Sequence, residues 1–327
     1  MAVSTVKSAG GDYSSLSAWE AAKQAVLSAP EEAECYDFAD TTAVTIDGWT
    51  TTAANYIRVY TPAAERHDGT AGTGYRLRPT SGAFVIDINE QNVRLEGLEL
   101  YSDAASMTNV VIVNAAATLD IRISHCILRG GPTTADGAAL FVVNDGVLKI
   151  WNTIVYDHGF RGIRSSSFSG AGLTIYCYNV TCCDCATATG AQGVFDRDGS
   201  AVFVVKNCIG QNPNTALASG AVHFQGTFSA AEFNVSGDAT APGTDALTSA
   251  TVNFEDEAAD NFKLDTADTV AKGSGVDLSA DANLAFSDDI LGTTRSDWSR
   301  GAHDFAAAGG VVSGIMDSSI FGGGMVR

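Results

Sequence analysis

Residues 148–157 read LKIWNTIVYD and residues 173–184 read LTIYCYNVTCCD. Set on Asn152 and Asn179, the two segments agree position by position. Apolar residues stand four and two places before each Asn, at Leu148/Ile150 and Ile175/Cys177. One and three places after it, the positions of the same face carry Thr153/Val155 and Val180/Cys182. Alternation on both sides of a polar residue describes two short strands with one face inward, meeting at a bend. Working outward, the same register recurs in VRLEGLELY (93–101), IRISHCILR (121–129), FVVKNCIGQN (203–212) and, more weakly, AAEFNVSGD (230–238). The bend residues are Gly97, His125, Asn152, Asn179, Asn207 and Asn234, at steps of 28, 27, 27, 28 and 27 residues.

A further apolar run precedes each copy: FVIDI (84–88), VVIVN (110–114), ALFVVN (139–144), GVF (193–195) and AVHF (221–224). Three short strands per repeat of this length predict an all-β solenoid whose coils stack about 4.8 Å apart. Successive Asn at the bend fit such stacking, because side-chain amides can hydrogen-bond along a column. On these segments the chain resembles the right-handed parallel β-helix superfamily, the pectate-lyase-like fold. That resemblance implies architecture and leaves activity open, since the scaffold carries lyases, hydrolases, esterases and non-enzymatic virion proteins.

Ser14 to Leu27 reads as a helix, with capping-box spacing at Ser17–Glu20 and Pro30 beyond its end. It is expected to cover the open end of the solenoid, whose edge would otherwise recruit strands. The chain then divides into an N-terminal cap (1–42), the β-helix (43–238), a C-terminal cap (239–304) and an extended tail (305–327). Residues 43–62 and 75–79 are read as irregular first coils. In the C-terminal cap, DILGTTR (289–295) and RGAHD (300–304) are similar to closing segments of β-helix proteins, and Arg295 is expected to pair with a carboxylate. The tail spaces its apolar anchors Ile315, Met316, Ile320 and Phe321 with Gly and Ser. Such a segment cannot bury them against itself, so it is expected to dock on a neighbour.

Nineteen Lys and Arg against 38 Asp and Glu give a net charge of −19, which disfavours nucleic acid and anionic membranes as partners. No run approaches a membrane span, and MAVSTVKSAGGDYSS lacks the apolar centre of a signal peptide. Synthesis in a cytoplasm is the expectation. The seven Cys are odd in number and scattered, with Cys126, Cys177, Cys182 and Cys208 on inward columns, so they read as core fillers. No metal site or cofactor is expected.

The search for chemistry finds Asp157 and Asp184 five places after the bend in adjacent coils. Stacking would set their carboxyls about 5 Å apart, near the spacing of a retaining glycosidase pair, with His158 beside them and Arg161 and Arg164 near. The alternative is that both Asp cap turns. His158-Gly159 is similar to a polygalacturonase segment, but that family's other motifs are not found in order.

The outward columns carry another signal: Ile127, Ile154 and Ile209 share one column, and Trp151 stacks beside Tyr178 in another. A contiguous apolar flank marks an interface, expected here to build a homotrimer, or else it is covered by a loop of the same chain. The expected function is structural. The resemblance implies a bacteriophage virion protein, with capsid decoration ahead of a tail spike or fibre. The alternative is a polysaccharide-degrading enzyme using Asp157, Asp184 and His158; a bound glycan stays possible in either case.

Overall fold

The computed structural model describes residues 2–102, 108–114, 119–131, 136–166 and 172–305. They form a mostly β chain wound into a parallel solenoid of about eight turns. Two strands per coil enter one 15-stranded sheet and the third enters a 7-stranded sheet; all pairings within these two sheets are parallel. In two central coils the first two strands run on through the bend as Gly146–Tyr156 and Leu173–Cys183, paired residue for residue on both sides of it. Val93, Ile121, Leu148, Ile175 and Phe203 form one column of the core, and Leu95, Ile123, Ile150, Cys177 and Val205 the next; all are buried.

The bend column is decided by backbone sterics. Gly97, His125, Asn152, Asn179 and Asn207 all have positive φ, from 47° to 71°. The left-handed region tolerates Gly and Asn best, which accounts for the residues found there. Only one amide ladder bond joins this column, from Asn207 Nδ2 to Asn179 Oδ1 at 3.0 Å. In the sixth copy the left-handed residue is Phe233, one place before Asn234.

The first coils are regular and begin earlier than expected. Ala2–Val6, Glu31–Cys35 and Ile57–Tyr60 are successive rungs of the long sheet. EEAEC (31–35) hides its strand character because its outward residues are charged, while Ala33 and Cys35 fill the core. The strand Ile163–Ser165, between Leu140–Val142 and Gly193–Arg197, also went unread, its three residues being too few to show alternation. The helix, α1, is shorter than predicted, Leu16–Lys23, and Ser15 supplies its N-cap by accepting from the Ala18 N–H. Glu20, the other half of the expected capping box, instead accepts from the Asp47 N–H and Trp49 Nε1. Leu16 and Trp19 are buried in the main core.

Beyond Asp238 the coil rhythm stops, as its lost periodicity predicts. Residues 252–304, here called the strap, run back along the outside of the long sheet. They contain one antiparallel hairpin, Phe254–Asp256 with Asn261–Leu264. The bend asparagines hold the strap. Asn152 Nδ2 donates to the Asp288 carbonyl, Asn179 Nδ2 to the Ser299 and Gly301 carbonyls, and Asn207 exchanges two bonds with the Val276 backbone.

The strap decides the fate of the apolar flank. Ile127, Ile154 and Ile209 lie with Phe254, Phe262, Leu264 and Ile290 in a second apolar cluster. Tyr178 lies with Leu278, Leu284 and Trp298 in a third, with Trp151 half-buried at its margin. The outward column therefore faces this chain's own strap; Ile127, Ile154, Ile209 and Tyr178 offer no surface to a second copy, and Trp151 keeps a partly open face. The sequence admits a covering loop but does not say which, because the strap has no period. The tail anchors Ile315, Met316, Ile320 and Phe321 lie outside the described residues.

Candidate functional site

Asp157 and Asp184 follow paired residues, Tyr156 and Cys183, in adjacent rungs, so the predicted juxtaposition of coils holds. Both take positive φ, 57° and 49°, which Asp tolerates at a turn. A cleft of about 290 Å³ opens beside them, lined also by Tyr101, Arg129, Thr187 and Thr215.

Their environments differ. Asp184 Oδ1 accepts from the Asn214 and Thr215 backbone N–H groups, and Oδ2 from Asn214 Nδ2. It ties its own turn to that of the next coil, the capping role weighed above, and its carboxylate has little acceptor capacity left for a substrate. Asp157 is held only by a long contact, 3.4 Å from Arg129 Nη2. Arg129 is shared with Asp260 of the strap, also at 3.4 Å, and lies over the rings of Tyr101 and Tyr156. Burial, then the charge of Asp260, push the Asp157 carboxyl up to about 6 against the pull of Arg129. A carboxyl that is half-protonated at about pH 6 can serve as a general acid.

The other expected members are elsewhere. His158 is buried; its Nε2 donates to the Thr108 carbonyl and its Nδ1 accepts from the Phe160 and Arg161 N–H groups. Burial lowers it to about 4, so it is a neutral structural group. Arg161 bonds Asp196 and Asp136, and Arg164 bonds Asp136 and Asp198, which leaves both engaged away from Asp157. The cation that does reach Asp157, Arg129, was legible as the rung neighbour of Tyr156. Asp260 carried no signal, since only the strap's path brings it there.

All seven Cys are buried free thiols. Alternation sends Cys182 to the main core and Cys183 to the cluster beneath the strap. Among the described residues no group of three His, Cys, Asp or Glu is placed to hold a metal ion. No helix among them is long and apolar enough to cross a membrane.

Because the folded chain keeps the Asp157 proton to about pH 6, while the unfolded chain releases it near 3.8, the sign of its pH effect is fixed. Its contribution to stability is full at low pH and lost as pH rises through about 6. Asp157→Asn, which suits the left-handed turn, is expected to raise Tm by about 2 °C at pH 7 and to leave it unchanged near pH 4. Thermal melts across that range check it; a lower Tm at pH 7 would mean that the Arg129 contact outweighs burial.

Comparison with protein-family models, with curated proteins and with solved structures finds no match to this chain.

Proposed function

We propose that this chain is a structural component of a bacteriophage particle, specifically a capsid decoration protein, joined to its neighbours through the tail. The observation that supports this most is the engagement of its polar groups. Asp184 caps a turn, His158 braces a loop, and Arg161 and Arg164 are locked in ion pairs. A solenoid stiffened by a strap bound along three successive coils suits a particle surface. The apolar flank no longer argues for a trimer, so oligomeric contacts fall to the tail or to other faces.

The second reading, a polysaccharide-degrading enzyme, rests on one observation: the raised carboxyl of Asp157 in a cleft with Arg129 and Tyr101. One experiment separates the two. The chain is expected to co-sediment with purified particles, and a chain ending at Asp304 is expected to stay folded yet fail to do so. A full-length chain that stays unbound sinks the structural reading. So does release of reducing ends from a glycan panel that is lost in the Asp157→Asn/Asp184→Asn double variant. A truncated chain that binds as well as the full one removes the tail from the reading.

A further inference from the structure

The register of the 7-stranded sheet carries one buried column through Val85, Val110, Ala139, Gly162 and Val194. In Val222–Gln225, the last strand of that sheet, the same column ends on His223. His223 is 4% exposed, yet neither ring nitrogen has a hydrogen-bond partner among the described residues. Its Nδ1 lies 3.3 Å from Asp238 Oδ2, out of line for a hydrogen bond. That carboxylate draws the ring proton to Nδ1 and leaves Nε2 a bare acceptor. Burial lowers the imidazole below its ordinary range against the pull of Asp238, so it is neutral at pH 7. A buried acceptor without a donor is costly, and a valine, as on the preceding rung, would fill the place without that cost. Packing alone does not account for this histidine.

Beside it opens a recess of about 410 Å³, in the size range of small-ligand sites. The Cε1–Nε2 edge of the imidazole is turned to Gly237, which lines the recess. A Cβ on Gly237 would stand 3.1 Å from Cε1 and 3.8 Å from Nε2. The glycine therefore leaves a space within reach of Nε2. Pro213, Ala216 and Leu217 give the recess an apolar lining, and Asp238 and Glu257 give it two carboxylates. No Lys or Arg stands among the described residues that line it. The turn 212–217 separates it from the Asp157 cleft, which Thr215 lines.

We propose that this recess binds a primary alkylammonium group, one N–H donated to His223 Nε2 and the alkyl chain along Pro213, Ala216 and Leu217. Asp238 and Glu257 supply the opposing charge. A guanidinium is matched by a carboxylate with both oxygens free, whereas Asp238 already accepts from the His223 N–H and from the N–H and Oγ1 of Thr240. A quaternary ammonium has no proton for Nε2 and meets no Phe, Tyr or Trp in the lining. A metal ion needs its ligands at about 2.1 Å, and these side chains are not placed for that. An ammonium holds its acceptors at about 2.9 Å and tolerates the wider spacing. The site does not depend on the role proposed above.

Calorimetric titration of the full chain at pH 7 tests this. n-Butylamine is expected to bind saturably and at least about tenfold more tightly than 1-butanol, the margin a charge-assisted hydrogen bond provides. Tetramethylammonium and n-butylguanidinium are expected to bind more weakly than n-butylamine. Comparing 1,4-diaminobutane with Nα-acetyl-lysine N-methylamide then tells a free amine from the lysine of a partner protein, the tighter of the two naming the source. His223→Val extends the apolar column and is expected to keep or raise Tm while weakening n-butylamine about tenfold. Gly237 lies outside the left-handed region, so Gly237→Ala is expected to fold, to fill the space at Nε2 and to weaken binding likewise. Should His223→Val misfold, Gly237→Ala and the wild-type ligand series decide. Absence of saturable n-butylamine binding overturns the proposal. So does equal binding of 1-butanol or tetramethylammonium, or unchanged affinity in the folded variants.

Discussion

Replacing Ile154 by Asp is expected to destabilise the chain by about 4–5 kcal/mol, among the largest effects of any single substitution. Had Ile154 faced solvent or a partner, the same change would alter association and leave the fold alone. Its side chain is 1% exposed, between Ile127 and Thr181 along the sheet and beneath the aromatic and aliphatic residues of the strap. A carboxylate there loses its water among apolar side chains. It must either protonate at a cost or lift the strap. A urea denaturation series on wild type and variant measures the loss. A variant within about 1 kcal/mol of wild type would mean that the strap does not rest on this column.

Arg295→Met is expected to cost about 3–5 kcal/mol, for a different reason. Arg295, itself in the strap, is buried against the coils, where its Nε donates to the Asp288 carbonyl at 2.7 Å. Its Nη2 donates to Asn152 Oδ1 at 2.8 Å and to the Ala302 carbonyl at 2.9 Å, and its Nη1 to the Ser299 carbonyl at 3.2 Å. The expected carboxylate partner is Asp304, at 3.8 Å, so the carbonyls and the asparagine are the closer contacts. Burial lowers this arginine to about 10, with Asp304, Asp289 and Asp288 opposing the shift, which leaves it charged at neutral pH. Methionine fills similar space but strands those acceptors away from water. The denaturation midpoint and the rate of proteolysis within 252–304 report the loss. No change in either would show that the acceptors find water instead.

What could be read from the sequence, and what could not, follows from the range of the interactions. The coil register was visible because each coil repeats the same inward positions, and the bend because Gly, His and Asn share tolerance for positive φ. Juxtaposition of Asp157 with Asp184 followed from that register alone. The outward isoleucines were legible as an anomaly, but their partner was not. Phe254, Phe262 and Ile290 reach them from the strap, which has no sequence period. The same distance in sequence hides Asp260 behind Arg129 and Asp288 behind His125. One column was concealed differently, since Arg58, Arg94, Arg122 and Lys149 look scattered until the rungs are counted.

The asparagine rail has a consequence for how this rod comes apart. In a solenoid whose coils touch only their neighbours, the terminal coil can fray alone and the next can follow. Here Asn152, Asn179 and Asn207, on three consecutive rungs, are fastened to one continuous strap at Asp288, Ser299 and Val276. None of these coils can leave without tearing the strap from the other two, so they melt as one block. The same fastening works as a gauge of length. An extra coil between Asn152 and Asn207 would shift the strap's anchor points by about 4.8 Å and break their match. Coils on the N-terminal side of Val93 have no asparagine anchor, and the strap meets them instead at the loop of Gly69 and Ala71, so a length change there leaves the three anchors in match.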